Sequence, residues 1–419
     1  MSRKSSIVQR RSTGESSDST DGFIWIFDSR HLPHNISGLS FVLGILFTIS
    51  LTASLLNYGV GLTALFLFGE YLTAALSGRE LSLRSFWPKS EAFLLFQAVG
   101  WVEWAIYRSV IGTFAAALSK TCLLLVIAAQ VLRFIVMLPQ LNWIQSHSIL
   151  GCQRRNASLL YWNCAFQMMM VNPFALGFAI YFRNLLIAPE DKQQQSITRI
   201  QLMDGSHSPQ NIATYSFLLG SLSGIGLAAS YTVHYKGLGY FLLFLGLFHT
   251  LEYITTVRFK QNANLSSFLL NHSRDYHLAM AGGLLEFFVE LFLAPSLKIF
   301  GFMNYFGLLV VVMSQIVRTV AMITAGSNFS HHIADSKEKG HQLVKHGIYS
   351  ILRHPAYTGF FYWSIGLQLI MGNPVCFIAY VHVLQNFFKS RIEYEEEKLL
   401  DFFGTDYEEY MKRTFIFIP

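Results

Sequence analysis

Long apolar runs separated by short polar segments are the feature that most limits what this chain can fold into. Several runs reach the length of about 20 residues that a helix needs to cross the hydrocarbon core of a bilayer. Two pairs of shorter runs flank Asn-Pro dipeptides, and because proline cannot continue a helix, each pair predicts a tilted helical hairpin. The predicted spans are 36–57, 59–77, 92–112, 114–138, a hairpin within 158–187, 212–233, 236–257, 277–296, 300–325, and a second hairpin of 356–372 and 374–388. The pattern predicts an all-α, polytopic integral membrane helix bundle with about ten to twelve transmembrane helices.

The composition agrees with a membrane protein. Of the 419 residues, 52% are hydrophobic and 13% are charged, whereas a soluble domain carries about 25% charged residues. The net charge of +6 is mild for this length. The sequence lacks the dense stripe of basic residues that is typical of nucleic-acid binders, so we expect no nucleic-acid partner. The four cysteines include no CxxC pair, which argues against a disulfide framework or a zinc site.

Polar segments divide the chain into four parts. Residues 1–22 are rich in serine with interspersed arginines, lack the apolar core of a signal peptide, and predict a disordered cytosolic tail. Residues 23–190 form a first membrane part, 191–210 a polar linker, and 211–419 a second membrane part. If successive spans cross the membrane in alternating directions, the span ends that are followed by lysines and arginines lie on the same side of the membrane as the N-terminal tail. The positive-inside rule then predicts that both termini are cytosolic.

The two membrane parts resemble each other and predict tandem repeats. Matching residues occur in the same order along both parts, at offsets that grow slowly from 176 to 185 and then jump to 201. The matched pairs include Asn35 with Asn211, Tyr71 with Tyr253, Arg133 with Arg318, and Asn172-Pro173 with Asn373-Pro374. Parallel repeats are a known membrane architecture. The jump places additional residues between Arg318 and Tyr362, so the first part resembles a degenerate copy without the most polar segment.

That polar segment, residues 326–363, reads GSNFSHHIADSKEKGHQLVKHGIYSILRHPAYTGFFYW. Ionisable residues beside membrane spans are functional candidates. Its histidines form no HxxxH pair on a clear helix, so we expect no metal site. The acidic run after Arg391 could, taken alone, be a solvated helix face with lysine partners one turn away.

The spacing of these residues resembles a known family. HxLVxxGxYxxxRHPxYxGFFYW from His341 to Trp363, Asn373-Pro374, and RxxxEExxLxxFFGxxYxxY from Arg391 to Tyr410 together resemble the isoprenylcysteine carboxyl methyltransferase family. The stretches 267–290 and 327–333 resemble it too, so the likeness covers residues 211–419. RHPxYxG alone is shared with other membrane methyltransferases, whereas the combined set is specific.

The resemblance implies an activity, a cofactor and a site. The activity would be S-adenosylmethionine-dependent methyl esterification of the farnesyl- or geranylgeranyl-cysteine carboxylate of CaaX-processed proteins, in the endoplasmic reticulum membrane. The implied cofactor pocket is cytosolic, near the C-terminus, and formed by His341, Gln342, Leu343, Val344, Gly347, Tyr349, His354, Pro355, Ala356, Tyr357 and Glu395. Arg391 would hold the substrate carboxylate. The chain departs from the family at Ala334, where members often have glutamine.

Elementary chemistry fits this assignment. A carboxylate is already a nucleophile, so direct methyl transfer needs positioning and exclusion of water rather than a general base. Arg391 can present a planar fork to a carboxylate and follows the last apolar run, where a prenylated cysteine would reach the membrane surface. Glu395 lies one turn further on the same face, where its charge suits a cationic sulfonium.

Two other functions remain open from the residues. A related membrane methyltransferase acting on a phospholipid amine would share RHPxYxG but would not need Arg391. A transporter or scaffold is suggested by the number of spans and the repeat. The first part has GCQRRNASLLYW at 151–162 in place of the long motif, so we expect it to bind no cofactor. It would serve as an internal partner of the second part, shape a lipid entry, or only stabilise the bundle.

Overall fold

The computed structural model describes residues 30–52, 55–76, 81–87, 128–129, 203–260, 263–271, 273–337 and 340–419. These ranges contain helices α1 (Pro33–Thr52), α2 (Leu55–Leu76), α3 (Pro209–Ala229), α4 (Lys236–Phe259), α5 (Arg274–Leu293), α6 (Phe302–Ala325), α7 (Pro355–Met371), α8 (Pro374–Phe403) and α9 (Thr405–Met411). They contain no β-strand beyond one isolated bridge between Leu352 and Phe415. The helical fold class is therefore confirmed for this part of the chain. The tail 1–22, the spans predicted at 92–112 and 114–138, and the first hairpin fall outside it.

Five of the described helices, α1 and α3 to α6, contain segments long and apolar enough to cross a membrane, and α2 contributes a shorter apolar segment, Val60–Leu76. The outer faces of α5 and α6 are strongly apolar, with Phe292 87% exposed and Phe302 81% exposed. A contiguous apolar surface of this kind is unfavourable in water and suits contact with lipid. The chain is an integral membrane protein.

Prolines and one glycine determine where several helices begin and end. Pro209, Pro355 and Pro374 begin α3, α7 and α8, positions where the missing N–H and the fixed φ of proline favour a helix start. Gly372, at φ +66°, ends α7 in the left-handed conformation that glycine adopts without a steric penalty. Asn373 then occupies the N-cap position of α8. The hairpin predicted around Asn373-Pro374 is confirmed.

Helix α8 is longer than the apolar pattern predicts. The predicted span ends at 388, but the helix continues to Phe403. The continuation is rich in glutamate, lysine and leucine, which all have high helix propensity. The helix therefore leaves the apolar layer without breaking and extends Arg391 and Glu395 beyond it.

Close backbone packing joins the first two helices to the rest of the bundle. A Cβ atom on Gly44 in α1 would collide with the carbonyl oxygen of Phe217 in α3, and one on Gly220 in α3 would collide with the carbonyl oxygen of Phe41 in α1. Small residues at such crossings let helix backbones approach in a membrane. Around this crossing, apolar side chains of α1 to α4 form one buried cluster.

A buried ion pair holds the N-terminal end of α7. The Arg318 guanidinium on α6 donates through Nε and Nη2 to the two carboxylate oxygens of Glu252 on α4, and through Nη1 to the Ala356 carbonyl at 2.9 Å. The rings of Phe248 and Phe360 lie 5.4 and 5.3 Å from the guanidinium carbon, within the range of cation–π attraction. The first turn of α7, which carries part of the predicted site, is thereby fixed to α4 and α6.

A second buried cation holds the opposite end of α7. Lys298 Nζ donates to Glu290 at 2.6 Å, to the Gly372 carbonyl at 2.9 Å and to the Asn373 side chain at 3.0 Å. The turn between α7 and α8 is thus tied to the short segment after α5. With both ends anchored, α7 is a rigid support for the site.

Candidate active site

One pocket lies where the polar segment between α6 and α7 meets the start of α7, the extension of α8, and α9. Its lining is mixed, with aliphatic and aromatic walls and a few charged or hydrogen-bonding groups, which is typical of small-molecule sites. The lining residues are Ala325, Asn328, Phe329, Ser330, His341, Gln342, Leu343, Val344, Tyr349, Arg353, His354, Ala356, Tyr357, Glu395, Leu399, Phe403, Tyr407 and Tyr410.

The polar segment forms one wall of the pocket. The Gln342 backbone N–H donates to Asn328 Oδ1 at 2.9 Å, which joins the segment to the end of α6. The His341 ring packs edge-on against Phe402 and Phe403 at the end of α8, with ring centres 5.9 and 5.5 Å away. These contacts hold Leu343 and Val344, which lie outside any helix, against the pocket.

Helix α9 contributes Tyr407 and Tyr410 to the pocket, and the residues that follow it bond to the segment before α7. Tyr410 in α9 donates its hydroxyl to the Tyr349 carbonyl at 2.7 Å. Arg353 N donates to the Phe415 carbonyl and Phe415 N to the Ile351 carbonyl, each at 3.0 Å. Burial raises the pKa of the Tyr410 hydroxyl to about 12, although the positive charge of Arg353 acts to lower it. The hydroxyl therefore keeps its proton at neutral pH and remains a hydrogen-bond donor.

Two adjacent glutamates on α8 have different environments. Glu396 lies 3.0 Å from Arg353 Nε and 3.2 Å from His354 Nε2. Burial alone would raise the pKa of the Glu396 carboxyl, but the hydrogen bond with His354 and the charges of His354 and Arg353 outweigh it and hold that pKa below its ordinary value. Glu395 lines the pocket. Its Oε2 has no hydrogen-bond partner among the described residues and lies 3.6 Å from His354 Nδ1, and its carboxylate also interacts with the Tyr357 hydroxyl. Of the two carboxylates, Glu395 is therefore the one with an oxygen that can still accept a hydrogen bond from a ligand.

Arg391 borders the pocket through Tyr357. Its Nε donates to the Tyr357 hydroxyl at 2.9 Å, and its Nη2 donates to the His331 carbonyl at 2.7 Å. The guanidinium carbon lies 5.2 Å from the centre of the Tyr357 ring. No described residue accepts a hydrogen bond from Nη1. The head group is held in one orientation and keeps donor capacity for a ligand.

The structure brings most of the predicted cofactor residues around this one pocket. Gly347, Pro355 and the substrate-binding candidate Arg391 are not among its lining residues. Gly347 takes a left-handed φ of +58° at a turn that packs against Thr324, and Pro355 begins α7 with its ring buried. These two residues shape the backbone beside the pocket. Ala334, the departure from the family pattern, does not line the pocket either.

Sequence reasoning did not assign several lining residues to the pocket. They are Ala325, Asn328, Phe329, Ser330, Arg353, Leu399, Phe403, Tyr407 and Tyr410. Most of them stand in the quoted motifs, so the family spacing was a usable signal. Within the described ranges, no group of three or more His, Cys, Asp or Glu side chains is arranged to hold a metal ion.

The bundle and its pocket define an integral membrane protein with a mixed polar and apolar pocket at the ends of its helices. The family described as isoprenylcysteine carboxyl methyltransferase matches residues 307–401. The protein-S-isoprenylcysteine O-methyltransferase of Saccharomyces cerevisiae is 41% identical over 211 residues, which are 49% of this chain and 88% of that protein. The human enzyme of the same name is 42% identical over 204 residues, 48% of this chain and 72% of that protein.

A solved structure of a eukaryotic intramembrane Ras methyltransferase, an isoprenylcysteine carboxyl methyltransferase, aligns over 73% of this chain and 97% of that one, with 29% identity and a TM-score of 0.49. The sequence relatives decide the family. The chain belongs to the isoprenylcysteine carboxyl methyltransferase family, and the resemblance seen in its motifs is confirmed.

Proposed function

We propose that this chain esterifies the carboxylate of a C-terminal prenylcysteine with a methyl group from S-adenosylmethionine. Membership of the family supports the reaction. One observation carries the assignment of residues: Arg391, a held cation with free donor capacity, lies one helical turn before Glu395, a carboxylate with one buried oxygen that accepts no hydrogen bond from the described residues. A site for an anionic acceptor and a site for a cationic donor thus adjoin on one helix.

The residues around the pocket suit this cofactor. The Glu395 oxygen that has no hydrogen bond suits a sulfonium or an α-ammonium, because opposite charges attract each other more strongly in a partly buried site than in bulk water. Leu343, Val344 and Phe403 offer apolar walls to a planar base. When bound, S-adenosylmethionine would supply a methyl group on positively charged sulfur. His341, Gln342, Tyr349, His354, Ala356 and Tyr357 complete the proposed contacts.

The chemistry asks the protein for positioning. As the carboxylate oxygen forms its bond to the methyl carbon, the carbon–sulfur bond breaks and its electron pair stays on sulfur, so no proton has to move. Arg391 would orient the carboxylate through Nη1 and the remaining Nη2 hydrogen, while Tyr357 and His331 hold the guanidinium in place. Tyr407 and Tyr410, which line the pocket, would keep water from the reacting atoms.

The position of the site beside the membrane suits a lipid-modified substrate. Apolar faces of α5 and α8 point outward, with Leu285 66% exposed and Ile378 68% exposed. A prenyl chain can therefore remain in the bilayer while its cysteine carboxylate reaches Arg391 beyond the apolar part of α8. Farnesylated or geranylgeranylated CaaX proteins are the proposed partners. Residues 211–419 are the proposed catalytic part, with the pocket and both termini on the cytosolic side of the endoplasmic reticulum membrane.

A methyl-transfer assay on the purified chain tests this function. Radiolabelled S-adenosylmethionine is supplied with N-acetyl-farnesylcysteine or, separately, with phosphatidylethanolamine. We expect base-labile label in the prenylcysteine product only. Truncating one partner of an intimate charge pair costs about 2–5 kcal/mol, so Arg391→Ala should lower kcat/KM for the prenylcysteine about 30-fold or more.

Lys389 provides the matched control for Arg391. It is a cation on the same helix, two residues earlier and exposed, so Lys389→Ala should retain wild-type kcat/KM. Equal losses in both variants would show that general positive charge matters and would remove the assigned role of Arg391. Label appearing in phosphatidylethanolamine instead would move the acceptor to a lipid amine.

A further inference from the structure

The helix pairs α1–α2 and α3–α4 carry the same contact at the same place. His31 Nε2 lies 2.8 Å from the Tyr71 hydroxyl, and His207 Nε2 lies 2.8 Å from the Tyr253 hydroxyl. In each pair, the histidine precedes the first helix and the tyrosine lies on the second. The histidines are 176 residues apart and the tyrosines 182 residues apart, which are two of the offsets of the sequence repeat.

A second matched contact follows on the same tyrosines. The Tyr71 ring stacks on Phe86 with centres 4.0 Å apart, and the Tyr253 ring stacks on Phe268 with centres 3.9 Å apart. Each phenylalanine ends a four-residue 3₁₀ turn. Local composition does not explain two such contacts, because each joins residues distant in sequence.

The crossing of α1 and α3 relates the two pairs by an approximate two-fold axis. Gly44 approaches the carbonyl of Phe217, and Gly220 approaches the carbonyl of Phe41. Gly44 corresponds to Gly220, and Phe41 to Phe217, at the same offset of 176. In a symmetric dimer, a residue i of one copy contacts residue j of the other, and residue j of the first copy contacts residue i of the second. The two glycine–carbonyl contacts have this form, which is called isologous.

One hydrogen bond at this crossing breaks the symmetry. Ser37 and Ser216 join their hydroxyls at 2.8 Å. The corresponding residues on the other side of the axis are Ala213 and Ser40, and Ser40 Oγ is buried with no hydrogen-bond partner in the described part of the chain. The interface therefore retains the geometry of a dimer but has diverged in one of its two hydroxyl pairs.

From these contacts we infer that the first membrane part is a built-in partner of the catalytic part. In a symmetric dimer of the second membrane part, one face of α3 would pack against the same face of α3 in the other copy. In this chain, α1 packs against that face instead. The face is buried within one chain, since Ala213, Ser216 and Gly220 are all inaccessible. At this crossing, α1 and α2 thus take the place of a second copy of α3 and α4, and the chain acts as a single copy. This inference does not depend on the methyl-transfer activity.

Disulfide trapping in the full-length chain tests the inference. With Ser37→Cys and Ser216→Cys in one chain, mild oxidation should link the two peptides within a monomer, as read by mass spectrometry of the linked peptides. With each substitution on separate, differently tagged, co-expressed copies, we expect no linked dimer and no co-capture of the tags. Linked dimers, or two tags recovered together from mild detergent, would overturn the single-copy arrangement.

Glycine substitutions test the two-fold relation itself. Gly44→Ile and Gly220→Ile should lower the thermal unfolding temperature by similar amounts, whereas Gly282→Ile on α5, where the added side chain meets open space, should leave it near the wild-type value. Ala213→Ser places a hydroxyl opposite Ser40 and should raise the unfolding temperature. Unequal effects at Gly44 and Gly220, or a lowered temperature for Ala213→Ser, would contradict the symmetric contact.

Discussion

The buried pair Glu252–Arg318 allows a quantitative test of how α7 is held. The side chains are 1% and 7% exposed, and the guanidinium also bonds the Ala356 carbonyl at the start of α7. Removing one member of a buried pair leaves the other charge uncompensated, which costs about 3–5 kcal/mol. Glu252→Gln and Arg318→Gln should therefore each lower the free energy of unfolding by about that amount.

The loss of unfolding free energy in the double variant should differ from the sum of the losses in the two single variants. With glutamine at both positions, no isolated charge remains and the amides can still hydrogen-bond, so the loss should be well below the sum, with a coupling of about 2 kcal/mol or more. The assay is a double-mutant cycle from unfolding midpoints in bicelles. The matched control is the pair Lys345–Asp406, whose side chains are 43% and 56% exposed, and which should couple by less than about 1 kcal/mol.

An additive cycle at Glu252 and Arg318 would refute this reasoning. Additivity within about 0.5 kcal/mol is the behaviour of independent sites, and it would mean that the pair does not compensate charge in the bundle. A coupling as small as that of the control would lead to the same conclusion.

Three further predictions concern the pocket. Glu395→Gln removes a charge-assisted contact worth about 1.5–3 kcal/mol, so the KM for S-adenosylmethionine should rise about 10-fold or more while the KM for the prenylcysteine stays unchanged. The pKa of Glu396 in the folded chain lies below its ordinary value of 4.5. The ionised carboxylate therefore contributes its full stabilisation above pH 4.5, and this stabilisation is lost as the pH falls through the folded-state pKa. The variant Glu396→Gln should be less stable than the wild type at pH 7, and its unfolding temperature should fall less than that of the wild type between pH 5 and pH 3. Tyr410→Phe loses the 2.7 Å bond to a lining carbonyl, and calorimetry should show a loss of about 1 kcal/mol.

The helical architecture could be predicted from the sequence wherever the signal was local. Apolar runs long enough to cross a bilayer gave the positions of α3 to α6, and Asn373-Pro374 gave the second hairpin, because each depends on residues adjacent in the chain. The predicted span 374–388 did not give the end of α8, although Glu395 was already expected one helical turn after Arg391 on the same face. Hydropathy marks where a helix leaves the lipid, whereas helix propensity decides where it stops.

The pocket was predictable only in part, because one wall is formed by residues distant in sequence. His341 to Tyr357 lie within one segment and were found together through the family spacing. The contact of Tyr410 with the Tyr349 carbonyl joins α9 to that segment, and no local pattern specifies such a pairing. The separate environments of Glu395 and Glu396 likewise depend on where Arg353 and His354 lie in the folded chain.

The geometry around Arg391 explains why arginine rather than lysine suits this position. The same head group donates to the Tyr357 hydroxyl and to the His331 carbonyl and would still have to meet a carboxylate. These two bonds and a bidentate contact with the carboxylate need four N–H donors, which a guanidinium with five can supply and a lysine ammonium with three cannot. His331 is itself held by Glu252 through its ring, at 2.9 Å, so the orientation of Arg391 is tied to the buried pair beneath α7. Ordering a flexible side chain on binding costs about 0.5–1.5 kcal/mol, and a guanidinium already fixed by the fold avoids most of that cost when the carboxylate arrives.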